Sequence, residues 1–173
     1  MNSGVFPSIW RFFGLVAVQV LLLKQIGLSI DSAYFNVLLY PLFILLLPLQ
    51  LSPNFMVLLG FAVGMAVDIF YASPGVHASA GAFSGFARSY IVGAFAPKGG
   101  YTSKEPVFTP AYVTWQTFIQ GSAVFFFFHL FWFFSVDAFT FVFFNSIILK
   151  TMVSWGLTMV FVLLYAAMFN PKN

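Results

Sequence analysis

The sequence predicts an all-α integral membrane protein, a compact bundle of about six transmembrane helices joined by short connections. Hydrophobic residues make up 61% of the 173 residues and charged residues only 6%, whereas soluble domains carry ~25% charged residues. With a mean hydropathy of +0.98, the chain has too little polar surface to cover itself in water. The apolar residues form continuous runs instead of alternating with polar ones, which disfavours a transmembrane β-barrel. A single polytopic membrane domain follows.

Six apolar runs follow one another along the chain. The first predicts an uncleaved helix, because Lys24 and Gln25 stand where a signal peptidase needs small residues. The second carries Pro41 and Pro48 and predicts a helix with a kink near Pro41. The fourth is rich in small residues, and the phenylalanine-rich fifth is expected to face mainly lipid. The predicted spans are residues 9–30, 35–49, 55–71, 75–96, 112–134 and 141–169.

The distribution of lysine and arginine predicts the orientation. With six spans, the side that holds both chain ends collects more basic residues, namely Arg11, Lys98, Lys104 and Lys172. Because the opposite side offers only Lys24, the positive-inside rule places both termini in the cytoplasm. The polar connection 97–110 would then be cytoplasmic. Its Lys98, Lys104 and Glu105 form a predicted contact surface for a partner or for anionic membrane lipid.

Two polar residues flank the turn between the third and fourth runs. Asp68 lies just before the turn and His77 just after it, so an antiparallel hairpin brings carboxylate and imidazole within hydrogen-bonding reach. They could form a polar clasp that fixes the hairpin, an ion or substrate site, or a partner contact. His129 in the fifth run is interpreted as a core histidine. These three residues lack the tight spacing of a zinc motif, so no metal is expected.

Two basic residues lie deeper in the predicted bilayer. Arg88 and Lys150 each face a penalty of ~3 kcal/mol or more near the bilayer centre, and no acidic residue of the sequence lies at their depth. Each side chain could extend toward the membrane surface, or it could pair with a partner or inside a water-filled cavity. Arg88 could instead reach Asp68 through a water-filled cavity or pair with an acidic group on another protein.

Small residues recur at helical spacing in the third and fourth runs. Gly60 and Gly64 form one GxxxG pattern, and Gly81 and Gly85 form another. Such faces allow helix backbones to approach closely. They predict packing of the third helix on the fourth within one chain or, alternatively, a seam in a homo-oligomer or with a partner.

Catalytic motifs are not apparent in the sequence. It shows no serine elbow, no phosphate-cradling glycine loop and no carboxylate pair, so we expect neither an enzyme nor a bound cofactor. The net charge of +3 reflects very few charges and does not predict nucleic-acid binding.

The hairpin carries a family resemblance in the stretches GFAVGMAVDIF, ASPG and VHASAGAFSGFARSYI. It resembles the MreD family of rod shape-determining proteins of bacterial inner membranes, most strongly over residues 47–91. The resemblance implies a non-enzymatic scaffold of the peptidoglycan elongation machinery that determines cell shape. It also implies association with MreC and, through it, with MreB, the RodA glycosyltransferase and a transpeptidase. Asp68, Gly75, His77 and Arg88 fall on the family-like hairpin, and no catalytic residue is carried over.

Two other classes compete with this interpretation. The small six-helix S components of energy-coupling-factor importers are similarly short, aromatic-rich and nearly loopless. In that case Asp68, His77 and His129 would line an outward pocket for a small substrate. A membrane enzyme acting on lipid-linked substrates would need a larger cluster of polar groups.

Overall fold

The computed structural model describes residues 5–25, 36–102, 106–140 and 142–169. Within these ranges the chain is helical, and the only strand-like pairing is an isolated bridge between Pro48 and Val107. The helices are α1 (Val5–Val18), α2 (Pro41–Leu45), α3 (Pro53–Tyr71), α4 (Val76–Ala94), α5 (Trp115–Ala138) and α6 (Phe144–Phe169). Helices α3, α5 and α6 are long and apolar enough to cross a membrane. The all-α prediction is therefore confirmed for the described residues.

Helices α3 and α4 form an antiparallel hairpin. Helix α3 begins at Pro53, whose missing N–H group would have no partner at that position anyway. It ends at Ala72, which has a left-handed backbone with φ 52°. Gly75 precedes α4 with φ 90°, a conformation that glycine adopts without a steric penalty. These two left-handed residues reverse the chain within a short turn.

The second predicted span, residues 35–49, is wrong as a continuous helix. Only Pro41–Leu45 is helical, and residues 36–39 have no regular structure. Proline removes an amide donor and also disfavours helical geometry in the residue before it. We call residues 36–51 the threaded segment, because its helix α2 contacts α1, α3, α4 and α5.

The threaded segment fills the interior of the bundle. Its residues 38–47 are all buried, and several of them have no accessible surface at all. A run that is apolar on every side is typical of an element surrounded by protein. Irregular backbone at membrane depth is tolerated where protein surrounds it.

Helix α5 packs on α4 through one of its two faces. The expectation that its phenylalanines face mainly lipid is wrong for five of them, which are buried inside the protein: Phe118, Phe125, Phe126, Phe133 and Phe134. On the α4 side, the ring of Trp132 stacks on Phe83 with 4.4 Å between centroids. Its Nε1 donates to Ser79 Oγ at 3.0 Å. Helix α5 is thus both a core helix and a surface helix.

Helix α1 continues through a π-helical turn, Gln19–Leu23. Lys24 then donates from Nζ to the carbonyl oxygen of Phe70 at 2.6 Å, which ties α1 to the end of α3. Residues 26–30 of the first predicted span lie outside the described residues.

Candidate functional site

Glycines bring α3 and α4 into backbone contact. An added Cβ at Gly60 would overlap the carbonyl group of Gly81, and one at Gly64 would overlap the carbonyl group of His77. Gly85 lies equally close to the carbonyl group of Met56. The structure therefore places all four predicted glycines in an intramolecular contact, the first of the two interpretations of the GxxxG patterns.

The Asp68 carboxylate caps the start of α4. Its Oδ1 accepts from the backbone N–H of His77 at 3.0 Å, and its Oδ2 accepts from those of Gly75 at 3.1 Å and Ala78 at 2.9 Å. The Ser73 hydroxyl also donates to Oδ1, at 3.0 Å. The first N–H groups of a helix have no partner within the helix and carry partial positive charge. Here a carboxylate from the preceding helix satisfies them.

His77 completes this arrangement, which we call the carboxylate clasp (Asp68, Ser73, Gly75, His77 and Ala78). His77 Nδ1 lies 2.9 Å from Asp68 Oδ1. Because a carboxylate only accepts, Nδ1 carries the hydrogen. The Nε2 atom is buried and has no hydrogen-bond partner among the described residues.

Aromatic rings surround the imidazole of His77. The rings of Tyr71 and Phe133 each lie 4.9 Å from it, centroid to centroid, and Tyr40 lies 5.7 Å away. The Tyr40 hydroxyl donates to the carbonyl oxygen of His77 at 3.3 Å. The imidazole is thus held in one orientation by the carboxylate on one side and by rings on the others.

His129 belongs to a separate contact. Its Nδ1 lies 2.6 Å from the Ser84 hydroxyl oxygen, and both side chains are buried. The Tyr40 ring lies between the two histidines, 5.3 Å from His129 and 5.7 Å from His77. The sequence prediction of a core histidine agrees with this position, and the structure does not bring His129 to the Asp68 carboxylate.

Gln19 forms a centre of buried hydrogen bonds that no sequence motif indicated. Its Oε1 accepts from the backbone N–H of Leu39 at 2.7 Å and of Tyr40 at 3.3 Å. Its Nε2 donates to the carbonyl oxygen of Val37 at 3.0 Å and to the Tyr71 hydroxyl at 2.9 Å. One amide side chain therefore replaces the hydrogen bonds that a helix would have given this part of the threaded segment.

Helix α6 also provides hydrogen-bond acceptors for the backbone of the threaded segment. The Ser154 hydroxyl accepts from the backbone N–H of Asn36 at 2.9 Å. The Thr158 hydroxyl accepts from that of Leu38 at 3.3 Å. The signal for these residues and for Gln19 was present in the sequence, because each is an isolated polar residue in an apolar run.

Substituting Gln19 by leucine is expected to lower the free energy of unfolding by about 2 kcal/mol, because it leaves the buried backbone N–H groups of Leu39 and Tyr40 without an acceptor. Titration with a denaturing detergent in mixed micelles would measure the change. Gln120→Leu is the matched control, since Gln120 lies exposed on α5. Equal stability of the two variants would contradict the assigned role of Gln19.

Arg88 holds the other end of the threaded segment. Its Nε and one terminal nitrogen donate to the carbonyl oxygen of Leu45, each at 3.2 Å, and the same terminal nitrogen donates to that of Leu47. The remaining nitrogen contacts Met56 Sδ at 3.8 Å. Arg88 is buried and contacts carbonyl groups at the end of α2. The sequence had instead suggested three other positions for its side chain, namely extension toward the membrane surface, a contact with Asp68 or a contact with another protein.

The remaining predicted residues lie apart from the clasp. Lys150 is partly buried on α6 and borders a cavity of about 470 Å³ that Asp137 also lines. Lys98 is exposed in the connection after α4. Lys104 and Glu105 lie outside the described residues.

The clasp is suited to fixing a backbone. Its carboxylate already accepts five hydrogen bonds, which engage both of its oxygens. In the described part of the chain, histidine, aspartate and glutamate nowhere form a group of three that could hold a metal ion. The arrangement fixes the orientation of the turn, of the start of α4 and of the His77 imidazole.

Comparison of the chain with protein-family models, with curated proteins and with solved structures finds no match.

Proposed function

We propose that this protein is a non-enzymatic membrane scaffold of the bacterial cell-wall elongation machinery, similar to the MreD family. In this proposal it is a multi-pass protein of the inner membrane with both termini in the cytoplasm. It binds MreC and, through MreC, associates with MreB, RodA and a transpeptidase. The proposal rests on the resemblance of residues 47–91, and the structure supplies physical support for it.

The supporting observation is the close packing and hydrogen bonding of the stretch that carries the resemblance, from which we infer a rigid hairpin. Backbone contacts at Gly60 and Gly64 join its two helices. The carboxylate clasp fixes one end of the hairpin, and Arg88 fixes the other end to the threaded segment. A scaffold needs a surface of constant shape, because ordering a flexible surface upon binding reduces affinity.

The outer face of α3 offers such a surface. It presents a stripe of exposed apolar side chains at helical spacing, namely Leu58, Phe61, Met65 and Ile69. Such a stripe suits the membrane helix of a bitopic partner, which would pack by shape complementarity within the bilayer. In the proposed complex, this α3 stripe contacts MreC.

The experiment is affinity purification of the tagged protein from its native membrane in mild detergent, with mass spectrometry of the co-purified proteins. We expect MreC and other elongation proteins. The double substitution Phe61→Ala with Ile69→Ala should reduce MreC recovery about tenfold, as expected for removing central contacts of an interface. The matched control, Leu157→Ala with Leu164→Ala, removes exposed side chains of α6 and should leave recovery unchanged.

Recovery of ATPase subunits or of a tightly held small molecule would overturn the scaffold proposal and favour a transporter subunit. That alternative requires a substrate to reach Asp68, His77 and His129, whose exposed fractions are 4%, 2% and 0%. The hairpin would have to open before a substrate could enter.

A further inference from the structure

A cavity of about 520 Å³ lies at the end of the hairpin opposite the carboxylate clasp. Its wall includes Arg88, Ser89, Gly93 and Tyr101 as well as Pro53. Its volume falls within the ~300–1,000 Å³ that is usual for ligand sites. Because α3 begins at Pro53 and α4 ends at Ala94, the cavity lies where both helices end. In a membrane, helix ends lie at the level of the lipid headgroups.

Arg88 places a buried positive charge at this wall. Its residue exposure is 2%, and no carboxylate of the described residues forms an ion pair with it. Asp68 is held in the clasp through Ala78, which precedes Arg88 by ten residues, or about 15 Å of helix. Asp137 ends α5 at that same distant end, since α5 runs antiparallel to α4 through the contacts of Ser79 and Ser84.

The neutral partners of Arg88 leave part of its guanidinium available. A guanidinium has five N–H donors in a fixed plane. Four are directed at the carbonyl oxygens of Leu45 and Leu47 and at the sulfur of Met56. The fifth has no partner among the described residues. Carbonyl groups orient the guanidinium but do not neutralise its charge, and a buried charge without a counter-charge is unfavourable.

The start of α3 adds to the positive potential at the cavity. Ser52 is its N-terminal cap residue, yet the Ser52 side chain makes no capping hydrogen bond. The first N–H groups of α3 therefore keep the partial positive charge of a helix start. Lys98, exposed in the connection after α4, contributes a further positive charge on this side of the hairpin.

We propose that this cavity binds a phosphate group, with the guanidinium of Arg88 as its charge partner. The one N–H of Arg88 that has no partner among the described residues and the first N–H groups of α3 are donors suited to phosphate oxygens. The headgroup of an anionic lipid and soluble phosphate share this chemistry, and the position at the helix ends suits the lipid. The site does not depend on the scaffold function proposed above.

Native mass spectrometry of the full-length protein in detergent micelles tests the site. The probes are phosphatidylglycerol, phosphatidylcholine and inorganic phosphate, each added separately. Gly93→Leu is the informative variant, because Gly93 lines the cavity and an added Cβ meets nothing within 4 Å. The leucine side chain fills the site while the helix gains propensity. Gly156→Leu on α6 is the matched control, since Gly156 also has open space around it.

We expect the wild-type protein and Gly156→Leu to retain phosphatidylglycerol and Gly93→Leu to retain about tenfold less, the change expected for losing one charge-assisted contact. Weak retention of phosphatidylcholine by all three proteins would identify an anionic headgroup as the ligand. Binding of inorganic phosphate that is lost in Gly93→Leu, without lipid retention, would identify the soluble anion. Equal behaviour of Gly93→Leu and the wild type toward every probe would overturn the proposal.

Discussion

Substitution of Asp68 by alanine is expected to lower the free energy of unfolding by about 3 kcal/mol or more. The change leaves the buried N–H groups of His77 and Ala78 without an acceptor and also removes the partner of the His77 imidazole. Each unsatisfied buried donor costs about 1–3 kcal/mol. Asp68→Asn should give a smaller loss of stability, because the amide oxygen of asparagine can still accept hydrogen bonds from the donors on one side of the clasp. The donors on the other side would meet its NH₂ group, which cannot accept them.

The measurement is detergent-induced unfolding of the purified protein, followed by tryptophan fluorescence. Asp137→Asn is the control, because Asp137 is exposed at the end of α5 and should behave like the wild type. Unchanged stability in Asp68→Ala would show that the clasp does not hold the hairpin.

Substitution of Gly64 by alanine is expected to be comparably severe, with a loss of about 2–3 kcal/mol. The new Cβ would overlap backbone atoms of His77 and Ala78, which cannot rotate away as a side chain would. The two helices would have to separate, and the distances of the carboxylate clasp would lengthen with them. One methyl group would thereby weaken both the packing and the hydrogen bonds of the hairpin.

Gly156→Ala provides the comparison for this helix substitution. Because Gly156 has no neighbouring atoms within 4 Å of an added Cβ, alanine should be neutral or stabilising by up to ~1 kcal/mol through helix propensity. Unfolding at two protein concentrations separates the intramolecular contact from a seam between copies. A loss at Gly64 that depends on protein concentration would favour the homo-oligomer interpretation.

The hairpin was predictable because its signals are local. The turn residues lie between two apolar runs, the glycines repeat every four residues, and Asp68 and His77 lie on either side of the turn. The structure places helices over Pro53–Tyr71 and Val76–Ala94, within two residues of the predicted spans 55–71 and 75–96. A short loop leaves few ways to pair two helices, so residue positions alone bring the aspartate near the histidine.

The threaded segment was not predictable from local pattern. A continuous apolar run with two prolines satisfies the criteria for a kinked helix, and hydropathy does not report which side chains will accept its amide hydrogens. Those acceptors come from Gln19 and from Ser154 and Thr158. For the same reason the carbonyl partners of Arg88 were not predictable, because backbone carbonyl groups become available only where a helix has ended.

The dependence of the threaded segment on α6 has a consequence for biogenesis. Ser154 and Thr158 follow their partners Asn36 and Leu38 by 118 and 120 residues, so those contacts can form only after α6 has been synthesised. Such long-range contacts slow folding and leave intermediates exposed. A membrane quality-control protease should therefore degrade a nascent chain that lacks α6 more rapidly than the complete one. Helix α6 would then determine whether a segment that precedes it by more than 100 residues escapes degradation.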